Sequence, residues 1–242
     1  VKQIFLSFTI ALPLFAGPET FDHLAAWKYP EAMIVPDKTS AEGPVGETVL
    51  VNGKEVASAT YTYNAANRLA QASYSENGLN AGKSIFSYAE GKLVTEKIYA
   101  PDNSIAETVL YDYDKSGKLV SYQVKAEGSA DISWNFKYTA QGLVSGKKIE
   151  AKQPAESFII ERTNPNHILQ QIFIPQSSHN ELAGTIVFEY QGGRLAKRIR
   201  TLGETRSEIV YRYENDRLVK MEFYSSAGAE PLRLIKTHLL KY

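Results

Sequence analysis

The sequence predicts an all-β fold, an antiparallel meander of about seven to eight repeated hairpins curling into a roll, shell or barrel-like body. Three observations carry this. An aromatic-x-Tyr pair recurs at Tyr61/Tyr63, Phe86/Tyr88, Tyr111/Tyr113, Phe136/Tyr138, Phe188/Tyr190 and Tyr211/Tyr213. A leucine follows each pair after five or six residues, at Leu69, Leu93, Leu119, Leu143, Leu195 and Leu218. Between pair and leucine lie turn-forming residues, and no long helical period interrupts the series.

Each unit reads as a β-hairpin. Side chains alternate along a strand, so rings at every second position share one face. The residues between the rings are Thr62, Ser87, Asp112, Lys137, Glu189 and Arg212, all polar, which gives that strand one buried and one wet face. The turns read Asn64–Asn67, Glu90-Gly91, Lys115–Gly117, Gln141-Gly142, Gly192-Gly193 and Asn215-Asp216. These residue types tolerate the positive φ of tight hairpins. A basic residue precedes the leucine at Arg68, Lys92, Lys118, Arg194 and Arg217, with Gly142 in its place in the fourth unit. The gap between Leu143 and Leu195 fits a worn copy built from Phe158–Glu161, a turn at Asn164-Pro165-Asn166, and Ile168–Ile174. A shorter hairpin, Val49–Ala57 with Asn52-Gly53 at its tip, precedes the series, and Leu232–Leu240 reads as a closing strand.

Sequential hairpins with short connections pair as neighbours. Open sheets rarely exceed ~10 strands without curling or splitting. With about sixteen strands and no helix to cover the rings, the sheet is expected to curl over its aromatic side, which would also protect its edges.

The stretch Tyr111-Asp112-Tyr113-Asp114-Lys115-Ser116-Gly117-Lys118-Leu119 resembles the YD-repeat consensus of Rhs and related bacterial surface proteins. Other units carry Asn64, Ala89, Thr139, Gln191 and Glu214 where the consensus has Asp, so the resemblance is full in one unit and partial in five, over residues 48 to 230. It implies hairpins wound into a spiral sheet or cocoon, and an exported protein.

Ahead of the repeats, Lys2 and the apolar run Ile4–Leu12, followed by Pro13 and Ala16-Gly17, read as a signal peptide over residues 1–16. The run is shorter than the ~20 residues of a membrane-spanning helix. Residues 17–46, with Pro18, Pro30, Pro36 and Pro44, read as an irregular lead-in, leaving 47–242 as a single repeat domain. The expected location is extracytoplasmic, periplasmic or at the surface, with no permanent membrane span after cleavage.

Composition narrows the function. With no cysteine among 242 residues there is no thiol nucleophile, no Cys-ligated metal and no lipidated N-terminal cysteine, so a lipoprotein is not expected. With 27 basic and 27 acidic side chains, the chain is no general magnet for nucleic acid. The Asp112-x-Asp114-x-Ser116-Gly117 run starts like a calcium loop, but Gln123 stands where a bidentate Glu is required. Gly78-x-x-x-Gly82-Lys83-Ser84 is one residue short of a phosphate loop and precedes a strand. The histidines His23, His167, His179 and His238 form no local zinc pair. No cofactor, metal or catalytic residue is therefore expected.

Charge is uneven: from Arg194 onward eleven basic residues face six acidic ones. Arg198 and Arg200 share a strand face and Arg212 falls on the next strand, so these three are the candidate anion-binding residues. The competing reading is cross-strand pairing of Arg212 with Glu208 and Glu214. The expected function is an exported, non-enzymatic scaffold or binding module of the bacterial cell envelope, with an envelope protein or an anionic glycan or lipid headgroup as partner. An outer-membrane β-barrel is the first alternative, although Lys197, Arg198, Arg200, Lys220 and Glu222 would interrupt its lipid-facing band. A carboxylate-dependent glycan hydrolase is the second.

Overall fold

Each aromatic-x-Tyr pair ends one strand and each leucine opens or nearly opens the next. The computed structural model describes residues 43–140, 142–164, 167–175 and 184–242. The reading of a signal peptide over 1–16, and of the lead-in as far as 42, lies outside these residues. So does the Pro165-Asn166 part of the worn turn.

Sixteen strands are described. They begin with β1 (Gly46–Val51), β2 (Lys54–Tyr63), β3 (Leu69–Glu76), β4 (Leu79–Ala89), β5 (Lys92–Tyr99) and β6 (Ile105–Tyr113). β7 (Leu119–Ala126), β8 (Ile132–Thr139), β9 (Gly142–Glu150), β10 (Gln153–Asn164) and β11 (His167–Pro175) follow. β12 (Gly184–Gln191), β13 (Arg194–Leu202), β14 (Thr205–Glu214), β15 (Arg217–Ala227) and β16 (Arg233–Lys241) complete the series. Every strand pairs antiparallel with its neighbours in sequence, and β1 pairs with β16, so the meander closes into a barrel. The worn copy is present as the β10–β11 hairpin. The tight turns take the predicted backbone, with Asn52 at φ 51° and Gly53 at φ 74° in the first of them.

The six recognisable hairpins share an irregularity. Pairing shifts by one residue between the polar residue and the second tyrosine, at Thr62/Tyr63, Ser87/Tyr88, Asp112/Tyr113, Lys137/Tyr138, Glu189/Tyr190 and Arg212/Tyr213. Tyr88 stands opposite Leu93 while Ser87 stands opposite Thr95, so Val94 is the extra residue of a β-bulge. Ala70, Val120, Val144, Ala196 and Val219 occupy the same place. The bulge resets the alternation, so the residue three beyond the leucine, rather than two, joins it on the inner face. In β3 that residue is Ala72, fully buried opposite Tyr61.

The inner face carries the core as a lining in three arcs. Leu69, Leu93, Tyr61, Tyr74 and Phe86 form one, and Leu119, Phe136, Phe158 and Ile160 the second. Ile186, Phe188, Leu195, Tyr211, Leu218 and Met221 form the third. Leu69, Leu93, Leu119, Leu195 and Leu218 are at most 2% exposed, beneath the rings. Gly146 has no side chain for a packing reason: a Cβ there would stand 2.4 Å from the Phe158 ring. The outer face is polar, with Thr60, Thr62, Ser87, Lys97, Asp112, Lys125, Asn135, Lys137 and Lys147 all exposed.

The two ends of the described chain build one hairpin unit between them. In the β4–β5 hairpin, Phe86 pairs with Glu96, three residues beyond Leu93. At the seam Leu240 pairs with Glu47, three residues beyond Pro44. Pro44 is fully buried and takes the place of a repeat leucine, while Leu240-Lys241-Tyr242 takes the place of an aromatic-x-Tyr pair. β16 and β1 thus act as the two arms of an eighth unit. The lead-in assigned to 17–46 therefore ends inside the barrel, because Gly43 and Pro44 are buried and Gly46 opens β1.

Candidate functional site

The repeated residues spend their polar atoms on one another. In three units the second tyrosine donates its hydroxyl to the backbone carbonyl of the preceding unit's leucine: Tyr88 to Leu69 and Tyr138 to Leu119 at 2.8 Å, Tyr213 to Leu195 at 2.9 Å. The seam repeats the contact at both ends, Tyr242 to Leu218 at 3.1 Å and Tyr63 to Pro44 at 2.7 Å. Over the same rings lies the basic residue of the preceding unit. Arg68 covers Tyr88 at 5.7 Å, Lys92 covers Tyr113 at 5.6 Å, and Lys118 covers Tyr138 at 5.4 Å. Arg194 covers Tyr213 at 5.7 Å and Arg217 covers Tyr242 at 4.9 Å. A cation on a ring face adds ~0.5–2 kcal/mol. The basic residue before each leucine is therefore a clasp between hairpins. Tyr88→Phe, which keeps the ring and removes the hydroxyl, is expected to cost about 1 kcal/mol in urea-induced unfolding. An unchanged midpoint would show that this hydroxyl does not hold the units together.

Ionisable groups are also buried on the inner face, and they concentrate on β1–β6 and β16. Glu47, 3% exposed, accepts a hydrogen bond from the Tyr61 hydroxyl at 2.5 Å and is paired with Nδ1 of the fully buried His238. The imidazole lies 4.6 Å from the Phe223 ring, over which Lys236 is placed at the same centroid distance of 4.6 Å. Glu96, fully buried, accepts from Tyr111 at 3.0 Å, and Tyr74 donates to Ser84 at 3.0 Å. Glu47 and Glu96 occupy the same place in their units, three residues beyond Pro44 and Leu93. Each takes the hydroxyl of the first ring of the next unit.

Burial pushes the Tyr61 hydroxyl well above the ordinary tyrosine range, and the Glu47 carboxylate adds to it. Burial raises Tyr74 in the same direction. Burial also lowers Lys236, against the pull of Glu47. A tyrosine whose folded pKa is raised contributes stability that is complete below its unfolded pKa and is lost as pH climbs past it. The barrel is therefore expected to lose stability above about pH 10, and to lose less in Tyr61→Phe than in the parent, as followed by far-ultraviolet circular dichroism. An equal loss in both proteins would contradict this.

The predicted anion-binding residues do not come together. Arg198 and Arg200 share a face, but the bulge at Ala196 turns it inward, with Arg198 opposite Phe188 and Arg200 opposite Ile186. Arg212 lies on the outer face of β14, where Nε donates to Glu222 at 3.1 Å. Ion pairs there form both across strands and along one strand, and the partner shown for Arg212 is neither Glu208 nor Glu214. Glu208 is held by Arg206 at 2.6 Å and Lys197 at 3.4 Å, and Glu222 by Lys220 at 2.8 Å. Hydrogen bonding to Lys220, then to Arg212, holds the Glu222 carboxyl below the usual range. The calcium-like run is a turn: the Asp114 carboxylate accepts from Ser116 N at 2.8 Å, Ser116 Oγ at 2.7 Å and Lys118 N at 3.0 Å. Those bonds hold its carboxyl low. Among the described residues no group of three or more histidines and carboxylates could hold a metal ion.

The buried set was missed in the sequence because strict alternation from Leu93 places Glu96 outside. The signal available was internal. The same place holds Ala72, Tyr122, Gly146, Arg198 and Met221 in other units, four of the five uncharged.

Fold and inner face together define the class: a sixteen-stranded antiparallel barrel of interlocked hairpin repeats, lined by rings and leucines and polar outside. No family model matches the chain, and no curated relative matches it. The chain is similar to the crystal structure of a porin-like protein from Bacteroides uniformis. The TM-score is 0.53 at 11% identity, covering 84% of this chain and 99% of that one. It is also similar to a porin-like protein from Bacteroides vulgatus, with TM-score 0.40 and 9% identity, covering 82% of this chain and 98% of that one. A third similarity is to TcdB2-TccC3, with TM-score 0.30 and 11% identity, where the match covers 81% of this chain and 14% of that one. The first of these supports the barrel fold and nothing finer.

Proposed function

We propose that the protein is an exported, non-enzymatic β-repeat barrel of the bacterial cell envelope, working as a scaffold or binding module in the periplasm or at the surface. One observation carries this reading: the recurrent tyrosines and basic residues are engaged in clasps between hairpins, so their periodicity records architecture. The buried carboxylates add to it. Glu47 and Glu96 are each bound to a tyrosine and closed to solvent, so a substrate could reach them only if the wall opened. In this reading the partner is an envelope protein or an anionic glycan or lipid headgroup. Arg198 and Arg200 on the inner face are the candidate contacts, with Arg212 on the outer wall. Crosslinking pull-down of the full chain from intact envelopes tests the proposal. A reproducible partner supports it, and no partner together with turnover of a glycan or peptide overturns it.

A second reading, a membrane-spanning barrel, is favoured by sixteen closed antiparallel strands and by the porin-like fold similarity. The outer face opposes it, since Lys97, Lys125, Lys137 and Lys147 lie where an apolar band ~25 Å tall would have to run. No helix among the described residues is long and apolar enough to cross a membrane, which does not bear on strands. Release of the protein from envelopes only by detergent would favour the membrane reading. Release by salt or osmotic shock supports the first.

A further inference from the structure

The strand register sets four hydrogen-bond donors side by side on the inner face of β13–β16. Arg200 of β13 stands opposite Ser207 of β14, Ser207 opposite Ser225 of β15, and Ser225 opposite Arg233 of β16. Residues paired directly across antiparallel strands share a face. Arg200 also stands opposite the buried Ile186, so that face is the inner one. Both arginines are exposed and both serines partly so, near the rim that carries the Gly203 and Gly228 turns. The next row away from that rim is Arg198, Ile209, Phe223 and Lys236. No carboxylate shares the inner face of these four strands. The acids at this rim stand on its turns, and Arg233 donates to one of them, Glu230, at 3.1 Å. An ion pair exposed on both sides contributes little, so it yields to a better acceptor. On the neighbouring β1 the Glu47 carboxylate is engaged with Tyr61 and His238. Arg200 has no ion-pair or hydrogen-bond partner among the described residues.

The chemistry of the row selects its ligand. Neighbouring strands lie ~4.8 Å apart, so the four Cα atoms span roughly 14 Å, and two long guanidinium side chains close over the serines from either end. A carboxylate offers two oxygens in one plane, which a single arginine fork satisfies. A phosphoryl group offers three oxygens and a charge of about −1.5 to −2 at neutral pH, which calls for two forks and further hydroxyl donors. Behind the row, Ile209 and the Phe223 ring give apolar surface for the body that carries the phosphate. We propose that Arg200, Ser207, Ser225 and Arg233 form a binding site on the inner wall for the phosphoryl group of an organic phosphate, with its body over Ile209 and Phe223. This deepens the binding-module reading and rests on it: the anionic partner is taken at the mouth of the barrel, and Arg212 on the outer wall has no part in it.

Isothermal titration calorimetry of the full chain with dihexanoylphosphatidic acid, glucose 1-phosphate, inorganic phosphate and acetate tests this. At least one of the two organic phosphates is expected to bind more tightly than inorganic phosphate, and acetate not at all. The tighter of the two names the source, lipid or sugar. Arg200→Gln and Arg233→Gln are each expected to weaken that binding about tenfold or more. Ser207→Asp, which sets a negative charge between the arginines, is expected to abolish it, while Lys125→Gln on the outer wall leaves it unchanged. All four side chains are exposed or partly exposed, and unchanged thermal unfolding is expected to show that the variants fold. No binding of either organic phosphate, acetate binding as tightly as they do, or parental affinity in both arginine variants overturns the site. Such a failure beside a partner captured from envelopes sinks this site and leaves the binding-module reading standing. Binding here with no partner captured supports the site and counts against an envelope protein as partner.

Discussion

His238→Ala is expected to lower the stability of the barrel by roughly 3–5 kcal/mol, a fall of about 10 °C in melting temperature. The imidazole is fully buried and its Nδ1 serves the Glu47 carboxylate, which is itself closed to solvent. Removing the ring takes a hydrogen-bond partner from the buried Glu47 carboxyl, and it also strips the packing against Phe223. Position adds to the effect. Glu47 and His238 lie on β1 and β16, so the loss falls on the strands that close the barrel. Thermal unfolding followed by circular dichroism measures it. The double change Glu47→Leu with His238→Leu removes both polar groups and keeps bulk, and should recover most of the loss, since an apolar pair of similar volume often replaces a buried ion pair without cost. A single variant within 1 kcal/mol of the parent would mean the pair contributes little to closure.

Leu93→Ala is expected to cost about 2–5 kcal/mol in urea-induced unfolding. Leu93 is fully buried in the arc formed with Tyr61, Leu69, Tyr74 and Phe86, and it stands opposite Tyr88 at the bulge. Tyr88 is tied to the Leu69 carbonyl and covered by Arg68, so its ring is not free to collapse into the space left. A cavity that cannot close gives the upper part of the range. Lys97→Ala, on the exposed outer face of the same strand, is expected to stay within ~0.5 kcal/mol. Equal effects at the two positions would show that the leucine row is not the core.

The hairpins were legible because their signals are local. Rings two residues apart, turn residues able to adopt positive φ, and a leucine on the return arm describe one unit without reference to any other. The worn copy at β10–β11 could be placed from spacing alone. The candidate site was not legible in the same way. Each bulge adds one residue after the leucine, and a period-two reading passes over it. Counting by twos from the leucine puts Glu96, Arg198 and Arg200 outside, whereas the fold has them on the inner face. A buried carboxylate thus goes unseen, and Arg198 and Arg200, which do share a face, part from Arg212. The aromatic lining was placed correctly because it precedes the bulge.

By itself the sequence determined the unit: an antiparallel hairpin with an apolar face of rings and leucine and a wet face of short polar and charged residues. Tertiary structure alone decided closure. Pro44 and Tyr242 become a leucine and a tyrosine of the repeat only when β1 meets β16, and Glu47 finds His238 across 191 residues of chain. Hydrophobic periodicity acts over a few residues, whereas a seam depends on how twist and bulges accumulate around the whole sheet. That sum brings the two ends into register.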